Sequence, residues 1–199
     1  MRVTSAEFLQ SSPGLEGCPN DEVLEFAFIG RSNVGKSSLL NLLTGKQGLA
    51  RVSQTPGCTQ LINFFKINGS FRMVDLPGYG YAKVPKGHRA AFQEIIATYI
   101  ADRPNLQRVF VLVDSRHEPQ KIDLEFLEWL GEVERPFAVV FTKTDKLKPS
   151  HLKKNTDAFL QALSAFHSDP LTVFLTSSKT RDGKKEILGF IGGLVNAAG

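Results

Sequence analysis

The chain has 199 residues, 42% hydrophobic and 22% charged, the make-up of an ordinary globular protein long enough to bury its own core as one domain. Its two cysteines, Cys18 and Cys58, lie far apart with no second Cys or His at metal-ligand spacing, which argues against a disulfide framework or zinc site and for a reducing, cytoplasmic setting. Neither a signal peptide nor an apolar run near the roughly 20 residues of a membrane span is visible, so no membrane association is expected.

The net charge of +4 is laid out in blocks: −4 over residues 1–25, +8 over 26–108, −4 over 109–137 and +4 over the rest. Such blocks are either uneven surface charge or a basic face for an anionic partner.

In chain order, residues 1–22, with Ser11-Ser12-Pro13-Gly14, read as an extended arm, and 23–199 as one domain. Strands are expected at 24–29, 61–67, 71–74, 109–113, 137–141 and 171–175, rich in β-branched and aromatic residues and bounded by Gly, Pro, Asn or Asp. Helical spacing marks 36–44, 89–101, 121–131, 150–166 and 183–196. Asn68-Gly69 between the second and third strands signals a tight hairpin, so that pair should be antiparallel and the strands joined through helices parallel. The expected fold class is therefore α/β, a doubly wound six-stranded sheet with one antiparallel edge strand. Two stretches, 46–60 and 76–88, lack regular spacing and have the length of functional loops.

The first of these strands runs into Gly30-Arg31-Ser32-Asn33-Val34-Gly35-Lys36-Ser37, the spacing of a phosphate loop opening a helix. Glycines let backbone N–H groups turn inward onto phosphate oxygens, Lys36 reaches the outer phosphates, and the Ser37 hydroxyl suits Mg²⁺. The third strand ends in Asp75-Leu76-Pro77-Gly78. Alone that string is a common turn, but after a phosphate loop it puts Asp75 where Mg²⁺ would sit and Gly78 where an N–H can meet a γ-phosphate. The fifth ends in Thr142-Lys143-Thr144-Asp145, whose carboxylate can accept the N1–H and N2–H of guanine while the Lys143 stem lies along the base. The sixth ends in Ser177-Ser178-Lys179, placed to offer backbone N–H groups to the guanine oxygen. Each string is weak alone, and the order of the four at strand carboxyl ends carries the assignment.

These motifs, with Ser38, Thr55-Pro56-Gly57-Cys58-Thr59-Gln60, Asp75-Leu76-Pro77-Gly78-Tyr79-Gly80-Tyr81-Ala82 and Asp114-Ser115-Arg116-His117-Glu118-Pro119, resemble the EngB (YihA/YsxC) family of bacterial ribosome-assembly GTPases, a branch of the translation-factor-related P-loop GTPases. The resemblance covers about residues 5–195. It implies a Ras-like domain that binds GTP and GDP with Mg²⁺, hydrolyses GTP slowly and acts in assembly of the large ribosomal subunit, in contact with its rRNA and proteins. Cell division and septation would depend on it. It also implies Lys36, Thr59 and Gly78 as catalytic groups, Gly57 and Thr59 as nucleotide contacts in a switch loop, and Ser37, Thr59 and, through water, Asp75 as the Mg²⁺ shell.

Thr142 stands where most GTPases carry Asn, as the family does. Tyr79 stands where many carry the glutamine that orients water, so water positioning must come from elsewhere. Asn33 matches an asparagine that holds K⁺ in some relatives, or is a loop-stabilising side chain. Trp129 is read as core, His117 as a surface or structural residue, and Lys143, Lys146, Lys148, Lys153 and Lys154 with Lys83, Lys86, His88 and Arg89 as solvated charge or an RNA-facing surface. A monomer is expected. Two rivals stay open: a sensor that binds GTP or GDP and recruits a partner without hydrolysis, and a membrane-linked GTPase, for which no anchor is visible.

Overall fold

The computed structural model describes residues 1–50, 61–79, 86–167 and 170–198, with 86–93 described for their backbone alone. Its strands are β1 (Ala6–Ser12), β2 (Leu24–Gly30), β3 (Ile62–Ile67), β4 (Phe71–Asp75), β5 (Leu106–Asp114), β6 (Phe137–Thr142) and β7 (Thr172–Leu175). They form one sheet in the order β1-β3-β4-β2-β5-β6-β7. The helices are α1 (Lys36–Thr44), α2 (Lys86–Asp102), α3 (Lys121–Glu132), α4 (Pro149–Leu163) and α5 (Lys184–Ala198).

The central strands are continuous apolar runs because helices cover both faces of the sheet. Their period of two then sorts side chains into two cores. Ala27, Ile29, Val109, Val111, Val139 and Phe141 point to one side, where Tyr99 of α2, Leu127 and Leu130 of α3, and Phe159 and Leu163 of α4 meet them. Phe26, Phe28, Phe110, Leu112, Ala138 and Val140 point to the other, against Leu39, Leu40 and Leu43 of α1 and Ile187, Leu188 and Ile191 of α5. Trp129 is partly buried against the first core, beside Phe126, as packing rather than a platform.

The α/β class stands, with two corrections. The sheet has seven strands, not six, and the antiparallel β3 lies one place in from the edge. The hairpin itself is as expected: β3 and β4 pair antiparallel, and Asn68 and Gly69, the central residues of a turn closed by the Ser70 N–H on the Ile67 carbonyl (3.0 Å), both have the positive φ (52° and 69°) that a turn of this hand requires. The edge is taken by β1, whose residues Ala6 to Ser12 pair antiparallel with Ile67 to Ile62 around an irregularity between Phe8 and Gln10. An uncovered β3 would leave a row of unpaired backbone groups, and part of the segment read as an extended arm pairs them. The Asn68 carboxamide fixes this docking: its Oδ1 accepts the N–H groups of Thr4 (2.8 Å) and Ser5 (3.1 Å), and its Nδ2 donates to the Arg2 carbonyl (2.8 Å). Residues 6–12 of the arm are thus a strand of the same sheet as the rest.

Helix bounds shift by a few residues. α4 stops at Leu163 rather than reaching Phe166, and α2 begins at Lys86, inside the stretch expected to be irregular. The parts 51–60 and 80–85 of the two long loops lie outside the described residues.

Far from the phosphate loop, where β2 begins, Glu25 is fully buried and its carboxylate gathers three elements. It accepts from Tyr99 Oη (2.8 Å), from Arg103 Nε (2.8 Å) and an Arg103 terminal nitrogen (2.7 Å), and more loosely from Arg72 (3.3 Å). Arg103 also donates to the Pro19 carbonyl (2.7 Å) and Arg72 to Asp21 (2.7 Å), so the N-terminal segment is tied to β4 and to the end of α2.

Candidate functional site

The strands β2, β4, β5, β6 and β7 are parallel, so their carboxyl ends gather the expected motifs at one rim. β2 ends at Gly30 and α1 starts at Lys36. Between them Asn33 (φ 61°) and Gly35 (φ 109°) take left-handed conformations that curl the loop back on itself. Ser37 and Ser38 form the first turn of α1, and Val34 is buried beneath the loop. Arg31 and Ser32 complete it.

Two long-range contacts hold this loop, and a third braces one of them. The Thr142 hydroxyl donates to the Val34 carbonyl (2.6 Å), and Lys143 Nζ donates to the Asn33 carbonyl (2.6 Å) and to Asp114 Oδ2 (2.7 Å). Thr142, at the position where Asn is commoner, therefore ties the end of β6 to the phosphate loop. Lys143 is bound into the site rather than contributing to a free basic surface. Asp114 is also gripped by Arg116, at 2.9 and 2.8 Å. Burial would raise its carboxyl pKa, but the hydrogen bonds from Arg116 and Lys143 outweigh that and hold it at about 2. Asp114 and Arg116 belong to a string carrying the resemblance but are not foreseen as anchors. The signal is an acidic residue at the carboxyl end of a parallel strand.

Asp75 ends β4, is buried, and accepts from Lys36 Nζ. The buried Asp75 carboxylate and the Ser37 hydroxyl are hard oxygen donors beside the phosphate loop, and this donor set fits Mg²⁺. No group of three or more His, Cys, Asp or Glu able to hold a metal occurs among the described residues. Gly78 packs on the loop so closely that a Cβ there would come within 2.6 Å of the Gly30 carbonyl oxygen. Gly57 and Thr59 lie outside the described residues, as does Lys83.

After β6, Asp145 Oδ1 accepts from the Ser177 hydroxyl (2.7 Å). That hydrogen bond, with the Lys146 ammonium nearby (3.7 Å), keeps the Asp145 carboxyl below the usual carboxylate range. Ser177 was foreseen for its backbone, and its side chain is the additional finding. Ser177 Oγ also accepts the N–H groups of Lys179 (3.2 Å) and Thr180 (3.1 Å), so the Lys179 amide is turned into its own loop. Ser178 and Lys179 are exposed at the rim.

Tyr79 is buried and turned onto α3. Its ring stacks on Phe126 (centroids 4.4 Å apart) and its hydroxyl donates to Asp123 Oδ1 (2.9 Å). Burial raises the Asp123 carboxyl pKa, against the lowering effect of Tyr79 and Arg31. His117 is half exposed beside Asp114.

A phosphate loop opening a helix, an acidic strand end facing its lysine, and a hydrogen-bonded carboxylate at the same rim are the arrangement of a P-loop GTPase. The pattern of the family described as "50S ribosome-binding GTPase" matches residues 25–143. The chain is 54% identical over 191 residues to the probable GTP-binding protein EngB of Porphyromonas gingivalis, covering 96% of this chain and 95% of that one. It is 48% identical to that of Christiangramia forsetii, over 99% and 100%. This chain therefore belongs to the EngB family of GTP-binding proteins.

Among solved structures, a probable GTP-binding protein EngB superposes with a TM-score of 0.68 at 27% identity, over 87% of this chain and 99% of that one. Era from Aquifex aeolicus, at 22% identity and TM-score 0.66 over 86% and 56%, shares the fold. No helix among the described residues is long and apolar enough to cross a membrane.

Proposed function

We propose that this GTPase is a Mg²⁺-dependent, slowly hydrolysing switch in assembly of the large ribosomal subunit, monomeric and cytoplasmic, on which normal cell division and septation depend. The observation that carries the ribosomal part is the match of residues 25–143 to a family described as ribosome-binding. The basic block over 26–108, net +8, supports it, because a triphosphate with its Mg²⁺ brings only about −2 to neutralise. GTP is held by Gly30, Arg31, Ser32, Asn33, Val34 and Gly35, largely through the backbone, with Lys36 on the outer phosphates and Ser37 and Ser38 at the helix head. Asp145 reads guanine beside Thr142, Lys143, Ser177, Ser178 and Lys179.

Lys36 exchanges its partner Asp75 for phosphate oxygens when nucleotide enters. Ser37 and Thr59 would hold Mg²⁺ directly and Asp75 would hold one of its waters. The ion supplies charge neutralisation of the phosphate oxygens. Gly78 donates its N–H to the γ-phosphate, and Gly57 and Thr59 are further nucleotide contacts by the family resemblance. With Tyr79 committed to Asp123, the chain has no side chain at that position to orient water. Turnover by the purified protein is expected at no more than about 10⁻² s⁻¹, the range of GTPases with an incomplete catalytic set. Single-turnover assays in sodium and in potassium check this, the second because Asn33 is the residue through which K⁺ would act. A rate near 1 s⁻¹ in sodium alone would reveal a catalytic group outside this account, and complete absence of hydrolysis would favour the sensor reading.

Sedimentation with large-subunit precursors tests the assembly role. Binding is expected to be tighter with a GTP analogue than with GDP, to weaken steeply as salt rises, and to lose its nucleotide dependence in Thr59→Ala. Reversing Lys83 and Lys86 to Glu should weaken it with GTP affinity unchanged. Binding that is equal in both nucleotide states and indifferent to salt would sink the ribosomal reading and leave the GTP site standing.

A further inference from the structure

We infer that Asp123, on α3 and outside every nucleotide motif, is a positioning residue that sets the Gly78 amide for the γ-phosphate. The inference rests on the reading of Gly78 as the γ-phosphate contact. Gly78 has no side chain with which to be held, and its place depends on its neighbours. On one side it touches the phosphate loop, where an added Cβ would lie 2.6 Å from the Gly30 carbonyl oxygen and 3.7 Å from Ser32 N. On the other side it is bonded to Tyr79, whose hydroxyl reaches Asp123 Oδ1 at 2.9 Å. The second oxygen, Asp123 Oδ2, faces the Arg31 guanidinium at 3.6 Å, and Arg31 follows Gly30 in the chain.

The contacts close a ring: Gly78, Tyr79, Asp123, Arg31, Gly30 and back to Gly78. Asp123 is its one member from α3, and it bridges the loop that cradles phosphate to the loop that senses the third one. A carboxylate 2% exposed is costly unless it is paired, and its two partners here, the Tyr79 hydroxyl donor and the Arg31 charge, come one from each loop. An arrangement meant only to fasten Tyr79 would be served by the Phe126 stack, which needs no buried charge.

The test compares the full-length chain with Tyr79→Phe, which keeps the stack and removes only the hydroxyl, and Asp123→Asn, which keeps the shape and removes the charge facing Arg31. Dissociation constants for GDP and for a non-hydrolysable GTP analogue are measured with Mg²⁺, together with thermal midpoints. Each variant should weaken the analogue about fivefold, the worth of one ordinary hydrogen bond, with GDP within about twofold of wild type. The double variant should be no worse than the poorer single one, since both break the same ring. Equal weakening of both nucleotides, or a lower thermal midpoint with an unchanged ratio, would make Asp123 a fold residue and overturn the inference alone. If Gly78→Ala left analogue affinity at the wild-type value, the γ-phosphate reading of Gly78 would fall and this inference with it.

Discussion

Asp145→Asn is expected to convert the protein from a GTP binder into one that prefers xanthosine triphosphate. The Asp145 carboxylate is an acceptor only, and guanine presents the matching pair of donors, N1–H and N2–H₂. Xanthine carries a carbonyl in place of the amino group, so an Asn amide donates where the carboxylate had accepted. Ser177 sharpens the effect. Its hydroxyl holds Asp145 Oδ1 at 2.7 Å, so the group that replaces the carboxylate inherits a fixed orientation instead of searching for one. A mispaired polar or charged contact in such a site costs about 2 to 5 kcal/mol, which corresponds to a swing of roughly 30-fold to several thousand-fold between the two nucleotides. Competition binding with both triphosphates measures it. A variant that keeps a strong preference for GTP would show that Asp145 does not read the base.

Replacing Glu25 with Ala should destabilise the fold by about 3 to 5 kcal/mol, the cost of removing one partner from a buried charge network. The carboxylate is fully buried and takes three hydrogen bonds of 2.7 to 2.8 Å from Tyr99 and Arg103, with Arg72 behind them. Without it Arg103 keeps only the Pro19 carbonyl, and the Tyr99 hydroxyl loses its acceptor at the centre of the sheet's first core. Against a total of roughly 5 to 15 kcal/mol for a domain, the loss is large enough to read directly from the urea midpoint. Because Glu25 sits where β2 begins and the phosphate loop where it ends, the folded fraction should still bind GTP normally. A loss below about 1 kcal/mol would mean that the surrounding groups find other partners or water.

The sequence by itself determined the elements and the chemical types of the site, because both are local. Runs rich in β-branched and aromatic residues, bounded by Gly, Pro, Asn or Asp, mark six of the strands, and Asn68-Gly69 marks the hairpin because both residues tolerate the positive φ its turn needs. The phosphate loop is legible because its function resides in the backbone of eight consecutive residues, which glycine spacing dictates.

Tertiary structure decided which side chains hold those parts in place, because the partners come from distant segments brought together by packing. Thr142 reaches Val34 across 108 positions of chain, Lys143 reaches Asn33 across 110, Ser177 reaches Asp145 across 32 and Tyr79 reaches Asp123 across 44. The fate of β1 was decided the same way. Its sequence, AEFLQSS, has too little β-branched character to announce a strand, and it becomes one because β3 would otherwise leave a row of backbone groups unpaired at the edge of the sheet.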